Sequence, residues 1–94
     1  MPDMTTITME TPIDRGDAKL TSFQLRRPLG GDLRGISGVT LGQMDYEAVR
    51  KLIPRISVPT VLDIELDRFD AADITQIHVA LTDFLFTKAM LAQS

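Results

Sequence analysis

Ninety-four residues with no cysteine, no tryptophan and few aromatics make one domain, whose single modest core has to come from Leu, Ile, Val and Met. The missing thiols exclude disulfides and thiolate metal sites and fit a reducing cytosol, while a formal charge of −3 argues against nucleic-acid binding by bulk electrostatics. No apolar run approaches the roughly 18 residues of a membrane span, and the N-terminus lacks the pattern of a signal peptide, so the chain is expected to work where it is made.

Thr5 to Ile13 alternates, with Ile7, Met9 and Ile13 on one face and Thr6, Thr8 and Glu10 on the other, as in a half-buried strand. Asp14-Arg15-Gly16-Asp17 comes next as a turn in which Gly16 can take positive φ. Alternation resumes from Lys19 to Arg27, but Leu20 is out of phase with Phe23 and Leu25, which predicts a bulge near Thr21-Ser22 or a late strand start. Residues 5–27 therefore read as a β-hairpin whose apolar face needs helices and whose edges are open to another chain.

Pro28 ends the second strand; Gly30 and Gly31 free the backbone to turn, and Asp32 caps the next, helical segment. From Asp32 to Thr40 only one or two helical turns are expected, since Gly35 and Gly38 weaken the segment. Asp45 is placed to cap a second helix with Tyr46, Val49, Leu52 and Ile53 on its apolar face and a Glu47–Lys51 pair on its wet face. Pro54 should end or kink it. Ser57-Val58-Pro59 reads as a connector, and Thr60 with Asp63 as a capping pair for a short helix to about Asp67. Asp70 caps the last of three or four helices, a long one, with Asp73 adding favourable charge in its first turn. Phe84 to Leu91 is apolar on more than one side, with Val79, Phe86 and Met90 opposite the main stripe. The helical part spans 32–94, and the whole is a single α+β domain over 1–94.

Few residues invite chemistry. Gly30 to Gly35 has the spacing of a phosphate loop, but Ile36-Ser37 stands where Lys and Ser/Thr must come, so a structural turn is the better reading. Asp63, Glu65 and Asp67 open like a calcium loop, yet Arg68 replaces its glycine and Ile74 its bidentate Glu; a solvated acidic face is preferred. His78 is the single histidine and has no carboxylate three or four residues away, which favours a packed helix residue over a general base. The predicted sites thus include no catalytic, cofactor or metal residue and no small-molecule substrate. Residues 1–57 carry a charge of +1 and residues 58–94 a charge of −4. Arg26, Arg27, Arg34, Arg50, Lys51 and Arg55 can form a basic patch, but no aromatics interleave with them for base stacking. Pairing with the acidic second half is at least as good an outcome.

The run Leu25-Arg26-Arg27-Pro28-Leu29-Gly30-Gly31-Asp32-Leu33-Arg34-Gly35 resembles the "L-R-[KR]-P-x-x-G-D-L-R-G" signature of the tail assembly chaperones of Mu-like, contractile-tailed phages. Met44-Asp45-Tyr46 through Leu52-Ile53-Pro54-Arg55-Ile56 resembles that family's proline-ended helix, and Leu66 to Asp73 with Phe84-Leu85-Phe86 its last cap and aromatic-ended helix. The similarity covers most of 5–86, and Gln76-Ile77-His78-Val79 departs from it by being bulkier than the small-residue run of the family. It implies structural roles for Arg27, Pro28, Gly31, Asp32, Leu33, Arg34, Gly35, Pro54 and Arg55. It also implies a non-enzymatic protein of the host bacterial cytoplasm, absent from the mature virion, that keeps the tape measure protein soluble until the tail tube assembles. Some relatives also have a longer, frameshifted form. Phe84, Phe86, Met90 and Leu91 are the expected contacts to that client or, by self-association, to a second copy, because one small core cannot bury them all. A structural tail or baseplate component, or another oligomeric virion module that uses the open hairpin edges, is the alternative, and a small nucleic-acid-binding regulator a more distant one.

Overall fold

A computed structural model describes residues 4–86. Strands β1 (Met4–Arg15) and β2 (Ala18–Arg26) form the expected hairpin, closed by Gly16-Asp17 with Gly16 at φ +62°. Glycine is suited to the first central position of such a two-residue turn because it lacks the Cβ that penalises positive φ. Ile7 faces Phe23 and Ile13 faces Leu20, and all four side chains are buried. The broken alternation at Thr21-Ser22 does mark a register shift. The extra residues lie on the facing strand, where 9–12 lie opposite Thr21 alone.

The sheet has a third strand that periodicity does not reveal. Ser57-Val58, read as a connector, forms β3 and pairs antiparallel with Leu25 and Gln24, giving the order β1-β2-β3. Two residues are too short to show a period. The Ser57 hydroxyl also accepts from the Val61 amide at 2.8 Å, anchoring the chain as it leaves the sheet.

Of four helices, α1 (Gly38–Gly42), α2 (Tyr46–Ile56), α3 (Asp63–Leu66) and α4 (Ala71–Leu85), α4 packs on β1 and α2 on β2, while α1 and α3 pack against α2. Pro54 does not end α2, which continues to Ile56. Proline there forfeits one amide donor near the helix end. The fully buried Ile53 and nearly buried Ile56 hold the segment in place. Glu47 and Lys51 are both exposed and form no ion pair. Helix α3 is capped by Leu62 and Glu65, not by Thr60 and Asp63: the Glu65 carboxylate accepts from the Leu62 amide at 2.9 Å while the Leu62 carbonyl accepts from the Glu65 amide. Asp70 caps α4 as expected, accepting from the Ala72 amide.

The core joins Phe23 and Leu25 of the sheet to Val49, Leu52 and Ile53 of α2 and Ile77 and Leu81 of α4. Phe69 reaches it between α3 and α4, its ring 5.9 Å from that of Phe23. Asp73 belongs to this interior as well. It is 0% exposed, and its two oxygens accept from the amides of Glu10 (2.8 Å) and Thr11 (3.1 Å) in the widened part of β1. Dipole stabilisation at a helix N-terminus is therefore not its main role.

Candidate functional site

The glycine-rich junction is a self-bonded structural unit. The Arg26 guanidinium grips both Asp32 oxygens at 2.8 Å and donates to the Arg55 carbonyl at 2.9 Å. Asp32 also accepts from the Leu29 amide at 2.8 Å, so it closes a 3₁₀ turn (Gly30–Leu33) from inside instead of capping a helix ahead of it. The Arg26 hydrogen bonds, reinforced by that amide, lower the Asp32 carboxyl to about 2. Arg55, at the end of α2, returns the contact by donating to the carbonyls of Asp32 and Arg34, each at 2.7 Å. Leu33 packs against the core from its half-buried position. Arg34 itself is exposed and contributes its carbonyl.

Positive φ falls at Gly35 (+73°), not at Gly30 or Gly31. A Cβ at Gly35 or Gly31 would meet nothing within 4 Å, so only backbone strain separates them. Gly35→Ala should cost about 1 kcal/mol and Gly31→Ala less than about 0.5 kcal/mol, as read from urea melts. Nothing in the structure explains Gly31. A second strained position leaves no mark in the sequence: Met44, at φ +56°, ends α1 with its amide bonded to Leu41 and that of Asp45 to Thr40. Glycine usually fills this place; here a half-buried Met packs on the core.

Of the basic patch, Arg26 and Arg50 are held in ion pairs and Arg55 by carbonyls, while Arg34 and Lys51 stay exposed. Besides Arg26 and Arg55, Arg50 binds both oxygens of Asp67 (3.0 and 3.1 Å) and approaches Asp63 at 3.4 Å. Tyr46 donates to Asp67 at 2.6 Å, and burial together with that carboxylate pushes its hydroxyl up to about 12. Glu65 is not part of a solvated acidic face. It is buried and holds Arg15 through two bonds of 2.7 and 2.8 Å. His78 is half-buried with its Nε2 enclosed and unbonded, and among the described residues no acid bonds its ring. Among the described residues no three His, Asp or Glu side chains cluster as metal ligands.

The remaining surface of interest is one end of the molecule, where β1 begins, β2 ends and α4 stops. Phe84 is half-buried against the core, and the Arg27 guanidinium lies 5.4 Å from its ring centroid and donates to its carbonyl at 2.9 Å. Phe86 is half-buried but lies just beyond the helix, with extended backbone (φ −114°, ψ 138°). It therefore does not continue a helical stripe from Val79. Met90 and Leu91 lie outside the described residues. Val79 is 60% exposed and borders a cleft of about 270 Å³ between β1 and α4, lined also by Thr5, Thr6, Ile7, Gln76, Ala80 and Asp83.

The expected open sheet edges are covered in part, on the β2 side only at Gln24 and Leu25. β3 takes the β2 side, Asp73 takes two β1 amides, and Gln76 donates to the Thr8 carbonyl at 2.9 Å. Since Thr8 turns its carbonyl away from β2, alternation turns the backbone groups of Met4 and Thr6 outward too. Of these two residues, Thr6 borders the cleft.

The family described as "Phage tail assembly chaperone proteins, E, or 41 or 14" matches residues 6–85. Tail assembly protein E of Escherichia phage P2 is 27% identical over 79 residues, which cover 84% of this chain and 87% of that protein. Tail assembly protein E' of the same phage is also 27% identical over 79 residues, but the match spans only 56% of its greater length. No solved structure matches the chain.

Proposed function

This chain belongs to the phage tail assembly chaperone family, and on that basis we propose that it binds the tape measure protein and keeps it soluble until the tail tube assembles. It acts without making or breaking a bond, in the host bacterial cytoplasm, and leaves before the virion is complete. The observation that carries the reading is the aromatic end of α4: Phe84 and Phe86 are left half-buried there, while Ile77 and Leu81 of the same helix are fully buried in the core. An apolar helical client can cover such a surface by side-chain packing. Phe84 serves both the core and this surface, and Phe86, Met90 and Leu91 are assigned to the client.

Co-expression with the tape measure protein tests the assignment. The double substitution Phe86→Lys and Met90→Lys should abolish solubilisation while moving the circular-dichroism melt by less than about 4 °C, equivalent to about 1 kcal/mol. A collapsed melt would make these residues part of the core.

The short open stretch at Met4 and Thr6 favours a second reading, an oligomeric tail or baseplate component joined edge to edge. Such a component stays in purified particles, whereas a chaperone is absent from them.

A further inference from the structure

We propose that Arg27 is a positioning residue for the partner surface: it fixes the last turn of α4 and so the direction in which Phe86 leaves the helix. This rests on the reading of the α4 end as the client surface. Arg27 lies directly after the last residue of β2 and precedes Pro28, whose ring disfavours helical backbone at the residue before it. The side chain thus starts from an extended position at the end of the sheet. It crosses to a residue 57 positions away, where Nη1 donates to the Phe84 carbonyl at 2.9 Å while the guanidinium carbon lies 5.4 Å from the centroid of the same residue's ring.

That carbonyl is one of the last four of α4, which lack helical partners and carry the negative end of the helix dipole. One residue beyond the helix, the Phe86 amide closes on the Thr82 carbonyl and the backbone turns extended. The helix therefore stops one residue after Phe84, the residue that Arg27 holds. Anchoring α4 to the domain does not need Arg27, because Ile77 and Leu81 are fully buried and Asp73 ties the other end. Arg26 and Arg55 are consumed inside the junction, whereas Arg27, itself exposed, reaches out of it. A planar fork can hold the carbonyl and lie over the ring together; a Lys ammonium, a single point charge, cannot do both in this geometry.

The test uses the full chain with Arg27→Ala and Arg27→Lys, read by co-expression with the tape measure protein, thermal melts and amide exchange. Both variants should lower the soluble tape measure protein at least about fivefold and speed exchange of the Leu85 and Phe86 amides about tenfold, with the Leu52 and Ile77 amides unchanged. Full solubilisation by Arg27→Ala, while the Phe86→Lys and Met90→Lys double variant fails, overturns the role of Arg27 and leaves the client surface standing. Full solubilisation by the double variant as well overturns the reading of the surface itself. Faster exchange at Leu52 reduces Arg27 to a stability residue, and rescue by Arg27→Lys removes the argument from the planar fork.

Discussion

Asp73→Ala should remove about 3 to 5 kcal/mol of stability, enough to lower the melting temperature of a domain this size by more than about 12 °C. The side chain is fully buried and accepts from the amides of Glu10 and Thr11, with Gln76 donating to the same carboxylate at 3.0 Å. Truncation strands two strand donors where the ladder is already interrupted, because four residues of β1 face one of β2 there. An orphaned amide shielded from water costs about 1–3 kcal/mol, and these two lie against the buried Asp73 site, which is why the loss exceeds that of an ordinary hydrogen bond. Asp73→Asn should cost roughly half as much, since its amide oxygen still serves one donor while its NH₂ faces the other. A urea melt decides the matter, and a loss below about 1 kcal/mol for the alanine variant would mean that water replaces the carboxylate.

Acidification should remove about 2 kcal/mol through Glu65 alone, the full shift being discounted for the solvent that reaches Arg15. The Arg15 hydrogen bonds hold its carboxyl at about 2, against the opposing effect of burial and with help from the Leu62 amide; its ordinary value is 4.5. A carboxyl depressed on folding stabilises fully above its unfolded value and loses that contribution as pH falls through the folded one. The window is therefore pH 4.5 down to 2. Asp32, also lowered to about 2, contributes in nearly the same range, so the Glu65 share is isolated by comparison with Glu65→Gln. That variant should be less stable than the parent at neutral pH and show a shallower loss between pH 4.5 and 2. Parallel stability curves would show that the Arg15–Glu65 pair is spent on desolvation and contributes nothing net.

Both predictions concern contacts that join residues 50 or more positions apart. Local pattern carries no trace of such pairs. Asp73 reads as an ordinary first-turn acid and Glu65 as part of an exposed acidic run, because nothing in their neighbourhood announces the strand amides or the guanidinium they meet. The same holds for Arg27. Its place beside Pro28 is visible in the sequence, but the Phe84 carbonyl it holds is not.

The legible part of this protein is the part that short-range physics controls. Alternation set the hairpin, Gly16 its turn, Asp70 the start of α4, and the apolar period of 46–53 the helix that supplies the middle of the core. These come from backbone preference and from the side-chain period of each element, both settled within a few residues. Folding alone settled that Ser57-Val58 is a strand, that helix α2 runs through Pro54, that Asp32 closes its turn from within, and that α4 stops before Phe86. The strand needs an edge at Leu25 and the run through Pro54 needs buried neighbours around Ile53 and Ile56, all distant in the chain. The turn at Asp32 needs the fork of Arg26, six residues back, which periodicity does not aim at it, and the end of α4 meets Arg27, 57 positions away.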